Sequence, residues 1–151
     1  MDQQIDARTQ RELEHAITAV AERLEQQVDR LACVFAGVFS SNEAKSQVSN
    51  LERTGLTALR LGDVITYVKR QTGKDSKGRN WSQPVEGSCI GVRLVAFLED
   101  LRSQADQECE KRKITPLRNE ARLRLAGICL RNLNSSYLYH SVVGEGGAGR
   151  G

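Results

Sequence analysis

Residues Thr115 to His140, TPLRNEARLRLAGICLRNLNSSYLYH, decide the fold of this chain. Thr115 and Pro116 suit the N-cap and the first position of a helix. With about 100° of rotation per residue, the apolar side chains of that helix fall on two roughly opposite arcs. One arc holds Leu117, Ala121, Leu125 and Ile128, and the other holds Leu123, Ala126, Leu130, Leu133 and Tyr137. The helix is therefore either the centre of its own bundle or packed between its bundle and a neighbouring protein.

Arginines occupy the seams between these arcs. Arg118 and Arg122 lie one turn apart on one seam, and Arg124 and Arg131 lie two turns apart on the other. A guanidinium group tolerates partial burial and binds phosphate or carboxylate through two parallel hydrogen bonds. With Arg112 just before the helix, these arginines are candidates for contacts to an RNA backbone. The alternative is that they pair with the acidic faces of other helices in the same chain.

A long amphipathic helix is predicted from about Asp6 to Phe39. Its apolar residues recur at spacings of three and four, which define one helical stripe: Leu13, Ile17, Val20, Leu24, Val28, Leu31, Phe35 and Val38. Such a stripe is typical of either a bundle helix or a coiled-coil pairing surface. The apolar end of the helix, LACVFAGVF, broadens beyond a stripe and favours the bundle.

The boundary that follows has the spacing of a capping box, from Ser40 to Glu43. Over residues 42–71, the apolar positions are Ala44, Val48, Leu51, Ala58, Leu59, Ile65 and Val68. Gly55 and Gly62 mark bends or a break, so this segment is either one kinked helix or two shorter ones. A further helix, with one acidic face, is predicted from about Cys89 to Lys111.

Residues 72–88, TGKDSKGRNWSQPVEGS, have no helical periodicity and predict one long basic loop. Five cations lie in or just before it: Lys69, Arg70, Lys74, Lys77 and Arg79. The only tryptophan, Trp81, lies beside them. A basic loop with one aromatic residue is suited to holding a phosphate backbone and stacking a base. In the alternative interpretation, Trp81 folds onto the core and the lysines are solvated.

The fold class expected from these patterns is all-α. Residues 1–140 would form a single-domain helical bundle of four or five helices, and residues 141–151 would form a flexible, glycine-rich C-terminal tail. A chain of 151 residues is long enough to bury a core without disulfides or metals. The net charge of +3 is segregated, with the positive excess in residues 61–80 and 111–151. Two basic blocks of this kind suit a polyanionic partner.

Other features limit the possible functions. The widely spaced Cys33, Cys89, Cys109 and Cys129 form no C-x-x-C motif and predict buried free thiols, with no metal and no cofactor. The N-terminus has no signal-peptide character, and the longest apolar run, over residues 31–39, is too short to span a bilayer. We therefore expect a soluble cytoplasmic protein. No nucleotide-binding, zinc-protease or nucleophile-elbow motif is present, so we do not expect an enzyme.

The segment RNEARLRLAGICLRNLNSSYLYH, within residues 112–140, interleaves arginines with Leu and Ala before a tyrosine-containing end. In this respect, and in its size and helical class, the chain resembles the small helical subunit of type III CRISPR effector complexes. The resemblance implies a non-catalytic subunit that packs against its own copies and against backbone subunits, and that holds a guide–target RNA duplex. It also implies that Arg118, Arg122, Arg124 and Arg131 contact RNA or other subunits.

Two hypotheses follow. In the first, the protein is a structural subunit of an RNA-guided ribonucleoprotein in antiviral defence. Its contacts to the RNA backbone would come from Lys69, Arg70, Lys74, Lys77, Arg79, Trp81, Arg112, Arg118, Arg122, Arg124 and Arg131. In the second, it is a helical adaptor or coiled-coil protein that binds only other proteins and self-associates through the stripe from Leu13 to Val38.

Overall fold

The computed structural model of the protein describes residues 6–39, 42–78 and 80–148. Within these ranges the chain forms five α-helices, a two-stranded antiparallel hairpin and one 3-10 turn. The helices are α1 (Ala7–Val38), α2 (Asn42–Thr57), α3 (Leu61–Lys74), α4 (Ile90–Lys111) and α5 (Arg118–Ala148). Strands β1 (Pro84–Val85) and β2 (Ser88–Cys89) form the hairpin, and the turn is Thr115–Leu117. The predicted all-α, single-domain bundle of four or five helices is confirmed.

Helix α1 buries the stripe that its sequence predicts. Asp6 caps its first turn by accepting a hydrogen bond from the Thr9 amide at 2.7 Å. The buried side chains are Leu13, Ala16, Ile17, Val20, Leu24, Val28, Ala32 and Phe35. Because this stripe faces the chain's own core, the bundle alternative is correct, and the stripe is not available as a coiled-coil surface.

Helix α5 is the centre of the bundle. It contacts each of the other four helices, and α1 most extensively. Both of its apolar arcs face the core, through the buried Ala121, Leu125, Ala126, Cys129, Leu130, Leu133 and Tyr137. Leu117, Leu123 and Ile128 of the same arcs are only half-buried. The Tyr137 hydroxyl donates to the carbonyl oxygen of Phe39 at the end of α1. Full burial of each leucine contributes roughly 2 kcal/mol, so packing around α5 is a main source of stability.

The segment over residues 42–71 forms two helices, separated at residues 58–60. Gly55 does not mark the break. It lies inside α2, where an added Cβ would lie 2.6 Å from Leu130 Cδ1, so the glycine allows α2 to approach α5 closely. Leu59, one of the apolar positions of this segment, lies in the break and is 81% exposed. The capping box from Ser40 to Glu43 involves residues 40 and 41, outside the described ranges.

The loop is shorter than the predicted range of residues 72–88. Helix α3 continues to Lys74, and the hairpin closes the loop before α4. The Asp75 carboxylate accepts hydrogen bonds from the backbone amides of Asn80 and Ser82, both at 2.9 Å, and from the Ser82 hydroxyl. The amide of Gly91 donates to the Trp81 carbonyl at 2.8 Å. These bonds fix the loop against the start of α4.

Both ends of α5 differ from the prediction. Thr115 is not an N-cap, since it begins the 3-10 turn that leads into the helix at Arg118. The segment predicted as a flexible tail from residue 141 is helical as far as Ala148. Tyr137 and Ser141 are both buried, and the Ser141 hydroxyl donates to the Tyr137 carbonyl, which extends the helix past His140. Residues 149–151 lie outside the described ranges.

Candidate nucleic-acid interface

Two arginines of α5 pair with carboxylates on neighbouring helices. Arg124 donates to both carboxylate oxygens of Glu14 on α1, at 2.6 and 2.8 Å. Arg122 binds both oxygens of Asp106 on α4, with its Nε at 2.7 Å from Oδ1. Bidentate pairs of this kind fix the orientation of both side chains. These two arginines therefore link α5 to α1 and α4, as the intramolecular alternative proposed.

A second network lies beside them, around Glu108 of α4. Arg112 donates through Nε to Glu108 at 3.0 Å and through Nη1 to Glu12 of α1 at 3.1 Å. Arg23 of α1 donates to the other oxygen of Glu108, also at 3.0 Å. Glu108 is only 5% exposed. Arg112 is thus a structural cross-link rather than a free cation.

Hydrogen bonds shift the pKa values of several groups in these networks. Burial raises the pKa of Glu108, but the hydrogen bonds from Arg23 and Arg112 outweigh burial and bring that pKa below its ordinary value. The hydrogen bond from Arg124 lowers the pKa of the Glu14 carboxyl. The bond to Asp106 raises the pKa of Arg122. The hydrogen bonds therefore favour the charged forms of Glu108, Glu14 and Arg122.

The other candidate arginines of α5 are exposed. Arg118 and Arg131 form no ion pair with the described side chains, which are those of residues 6–39, 45–78 and 80–143. Each shares a seam with a paired arginine, Arg118 with Arg122 and Arg131 with Arg124. On each seam, therefore, one arginine pairs with an acid of the same chain and the other faces solvent.

The largest group of exposed candidate cations lies at the end of α3. Lys69, Arg70 and Lys74 project from its last turns, and Lys77 follows in the loop. These four side chains are exposed, and they take part in no ion pair within the described part of the chain. Positive charge at a helix C-terminus is favoured by the helix dipole, which explains part of their placement without a ligand. Arg79, the fifth predicted cation, lies outside the described residues.

Trp81 is in the core, so it is not placed to stack on a base. Its indole is 2% exposed and packs edge-on against Phe35 and Phe39, with ring centroids 6.3 and 5.4 Å apart. Its Nε1 donates to Gln47 of α2 at 3.1 Å. The alternative in which Trp81 folds back onto the core is the correct one, because the broad apolar end of α1 supplies an aromatic pocket for it.

A groove between α2 and α5 was not found from the sequence. It encloses about 660 Å³. Its apolar surface comes from Gly55, Leu56 and Ala58 on one side and Leu123, Gly127 and Ile128 on the other. Leu56 is 63% exposed at its edge. No signal in the sequence could have found it, because the groove is lined by two helices whose relative placement periodicity does not fix.

The cysteines and histidines of the described residues lie in different environments, from buried to exposed. Cys109 and Cys129 are buried free thiols, and burial raises the pKa of Cys129 to about 12, whereas Cys33 is exposed, contrary to the prediction. Within residues 6–39, 42–78 and 80–148, no three His, Cys, Asp or Glu side chains are arranged to hold a metal ion. His140 Nε2 lies 2.9 Å from Asp29 Oδ1 and ties α5 to α1.

No helix in the described ranges combines the length and apolar character needed to cross a membrane. Comparison with known proteins gave no matching family model, no matching curated protein and no matching solved structure. The functional argument therefore rests on the geometry of the chain itself.

Proposed function

We propose that the protein is a non-catalytic helical subunit of an RNA-guided ribonucleoprotein, similar to the small subunit of type III CRISPR effector complexes. In this role it packs against other protein subunits and contacts an RNA backbone. The observation that carries the RNA contact is the exposed cation group at the end of α3: Lys69, Arg70, Lys74 and Lys77. Phosphates supply the attraction in such a contact, and base edges are not read.

Arg112 and the α5 arginines divide between two tasks in this proposal. Arg112, Arg122 and Arg124 stabilise the bundle through pairs with α1 and α4, as their bonds to Glu12, Glu108, Asp106 and Glu14 support. Arg118 and Arg131 remain exposed and available to a partner. The resemblance to the CRISPR subunit implied contacts to RNA or to other subunits from Arg118, Arg122, Arg124 and Arg131, and the geometry favours such contacts for the exposed Arg118 and Arg131.

RNA binding by the full chain tests this proposal. The affinity for a fluorescently labelled single-stranded RNA is measured by anisotropy between about 50 and about 200 mM KCl. Each lost phosphate contact reduces the slope of log affinity against log salt by about 0.7. The variant K69A/R70A/K74A is therefore expected to bind more weakly and to lose about 2 from that slope.

A control with the same change in charge separates a local contact from net charge. Arg8, Arg11 and Arg30 are exposed on α1, and the variant R8A/R11A/R30A removes three positive charges far along the sequence from α3. It is expected to keep the wild-type slope. Equal weakening by both triple variants, or by neither, would show that the end of α3 is not an RNA contact. Purification of the tagged chain from its native host then identifies the RNA and the subunits that accompany it.

The second candidate function is a helical adaptor that binds only proteins. The α2–α5 groove, with exposed Leu56 and Leu59 beside it, favours this function. The two functions differ in one measurement, because the adaptor does not bind RNA even at low salt. Its self-association through the α1 stripe is excluded from this proposal, since that stripe is buried in the bundle.

A further inference from the structure

Two large apolar side chains are exposed together where α2 ends. Leu56 is 63% exposed and Leu59 is 81% exposed. Leu59 lies in the break between α2 and α3, and the Asn119 side-chain amide of α5 donates to its carbonyl oxygen at 3.4 Å. The outward position of Leu59 is thus tied to α5. Exposed leucines beside an apolar groove are typical of a surface that binds another protein.

The groove has the dimensions of a helix-binding site. Its α5 wall runs from Asn119 to Arg131, which at 1.5 Å per residue corresponds to about 18 Å, or somewhat more than three helical turns. Gly127 lies under Leu56, with room for a Cβ at 3.6 Å from Leu56 Cδ2. Leu56 therefore covers Gly127, and a helix seated in the groove meets the Leu56 side chain rather than the α5 backbone at this point.

Charge at the edge of the groove indicates what the occupant carries. Arg131 is exposed at one end of the α5 wall and has no acidic partner in the described ranges. Arg124, at the middle, is already paired with Glu14, and Glu120 lies toward the other end. The groove therefore carries an available positive charge at the Arg131 end and an exposed carboxylate, Glu120, toward the other end. A carboxylate on the occupant would complement Arg131.

An amphipathic protein helix suits these features better than RNA does. The apolar walls are formed by Leu, Ile, Ala and Gly residues, and the groove offers no exposed aromatic surface for stacking a base. Amphipathic helices bind apolar grooves through side chains spaced three, four and seven residues apart. One wall of about three turns accommodates three such side chains.

We propose that the α2–α5 groove binds an amphipathic helix of a neighbouring protein subunit. The helix packs apolar side chains against Leu56, Leu59 and Ile128 and places a carboxylate beside Arg131. This inference rests on the proposed function insofar as it requires a multi-subunit assembly. It adds the surface through which the neighbour docks and the chemistry of the docking segment.

Photocrosslinking in the intact assembly identifies the occupant. The tagged full chain carries p-benzoylphenylalanine in place of Leu59, and a matched chain carries it in place of Gln26, which is exposed on α1. We expect the Leu59 position to crosslink to a helical segment of a different protein with apolar residues three or four apart and a nearby Asp or Glu. A crosslink to RNA, to a second copy of this chain, or at no higher yield than the Gln26 position would overturn the proposal.

A charge exchange tests the role of Arg131 with the segment so identified. A synthetic peptide of that segment is titrated against the full chain. L56E is expected to weaken binding about thirtyfold, the loss of one strong anchor, whereas V92E, at an exposed valine of α4, is the matched control and leaves affinity unchanged. R131E weakens binding of the native peptide and restores affinity for a peptide whose acidic residue is changed to Lys. Failure of that restoration would show that Arg131 does not face the acid.

The two proposals fail separately. K69A/R70A/K74A changes RNA affinity and leaves peptide binding intact, and L56E does the reverse. If the peptide binds as expected but RNA binding is insensitive to the α3 cations, then the docking groove stands and the RNA contact is wrong. If RNA binding follows the α3 cations but crosslinking at Leu59 does not rise above the control, then only the docking proposal is wrong.

Discussion

The α5 arginines and the basic end of α3 carry the same charge but are held in different ways. Arg122 and Arg124 are joined by bidentate hydrogen bonds to acidic residues of α4 and α1. Lys69, Arg70 and Lys74 face solvent without an acid from the described part of the chain. In the sequence both groups are simply basic segments next to apolar residues. The difference arises from what lies opposite each group after folding.

Positive charge in a segment therefore indicates a binding surface only where its cations have no ion-pair partners within the chain. Helix α5 is central, so its edges face α1 and α4, which both carry acidic residues. Helix α3 is peripheral to that arrangement and has few contacts with α5. The position of a helix in the bundle therefore decides whether its cations stabilise the fold or remain available to a partner.

The largest effect is expected at Trp81, which shares the loop of the α3 cations but is buried like the α5 pairs. W81A removes a side chain packed against Phe35 and Phe39 and is expected to lower the free energy of unfolding by about 4 kcal/mol. W81F keeps a ring but loses the bond to Gln47, at a cost of about 1 kcal/mol. Denaturant unfolding measures both. The exposed K77A is the control, and a loss for W81A no larger than that for K77A would contradict the structural role.

A smaller effect is expected at Glu108, the carboxylate shared by Arg23 and Arg112. E108Q is expected to destabilise the protein by about 2 kcal/mol. This is less than a fully buried pair would cost, because the Arg23 side chain is 52% exposed. E110Q, at an exposed glutamate of the same helix, is the control and should change the free energy of unfolding by less than about 0.5 kcal/mol. If E108Q and E110Q lower the free energy of unfolding by similar amounts, the Glu108 network is no more stabilising than ordinary surface charges.

The pH dependence of the stability difference between wild type and E108Q identifies the negative charge of Glu108 as its cause. The pKa of Glu108 is lower in the folded protein than its ordinary value of 4.5. The unfolded chain therefore binds the proton first as pH falls, and the stability contributed by the carboxylate is present above pH 4.5 and lost below it. The difference in the free energy of unfolding between wild type and E108Q is expected to be constant near neutral pH and to become smaller in acid. A difference that becomes larger in acid would contradict the assignment.

The sequence predicted the elements with long, regular periodicity. The α1 stripe and the two arcs of α5 were found because spacings of three and four over many turns have few alternative explanations. The end of α5 was missed because glycines are numerous after residue 143, while burial of Tyr137 and Ser141 continues the helix beyond His140. The exposure of Leu59 did not follow from the sequence, because this residue lies in the break at residues 58–60 rather than in a helix.

The partners of the candidate site residues could not be predicted, because they are distant in sequence. Arg124 and Glu14 are separated by 110 positions, and Trp81 and Gln47 by 34. Periodicity shows which residues share a face of one helix, but not which face of another helix lies opposite. Both alternatives therefore remained open for Arg122, Arg124 and Trp81. The folded arrangement decided each of them in favour of an internal partner.

The smallest stability effect is expected from two arginines on one seam of α5. R122M keeps the apolar stem, leaves Asp106 without its partner, and should cost about 1 kcal/mol in the free energy of unfolding. R118M, one turn earlier and exposed, should cost less than about 0.5 kcal/mol. RNA binding should show the opposite order, with a loss of about 0.7 in the salt slope for R118M alone. If R122M and R118M change the free energy of unfolding equally, and also change the salt slope of RNA binding equally, then Arg122 is not specifically structural and Arg118 is not specifically an RNA contact.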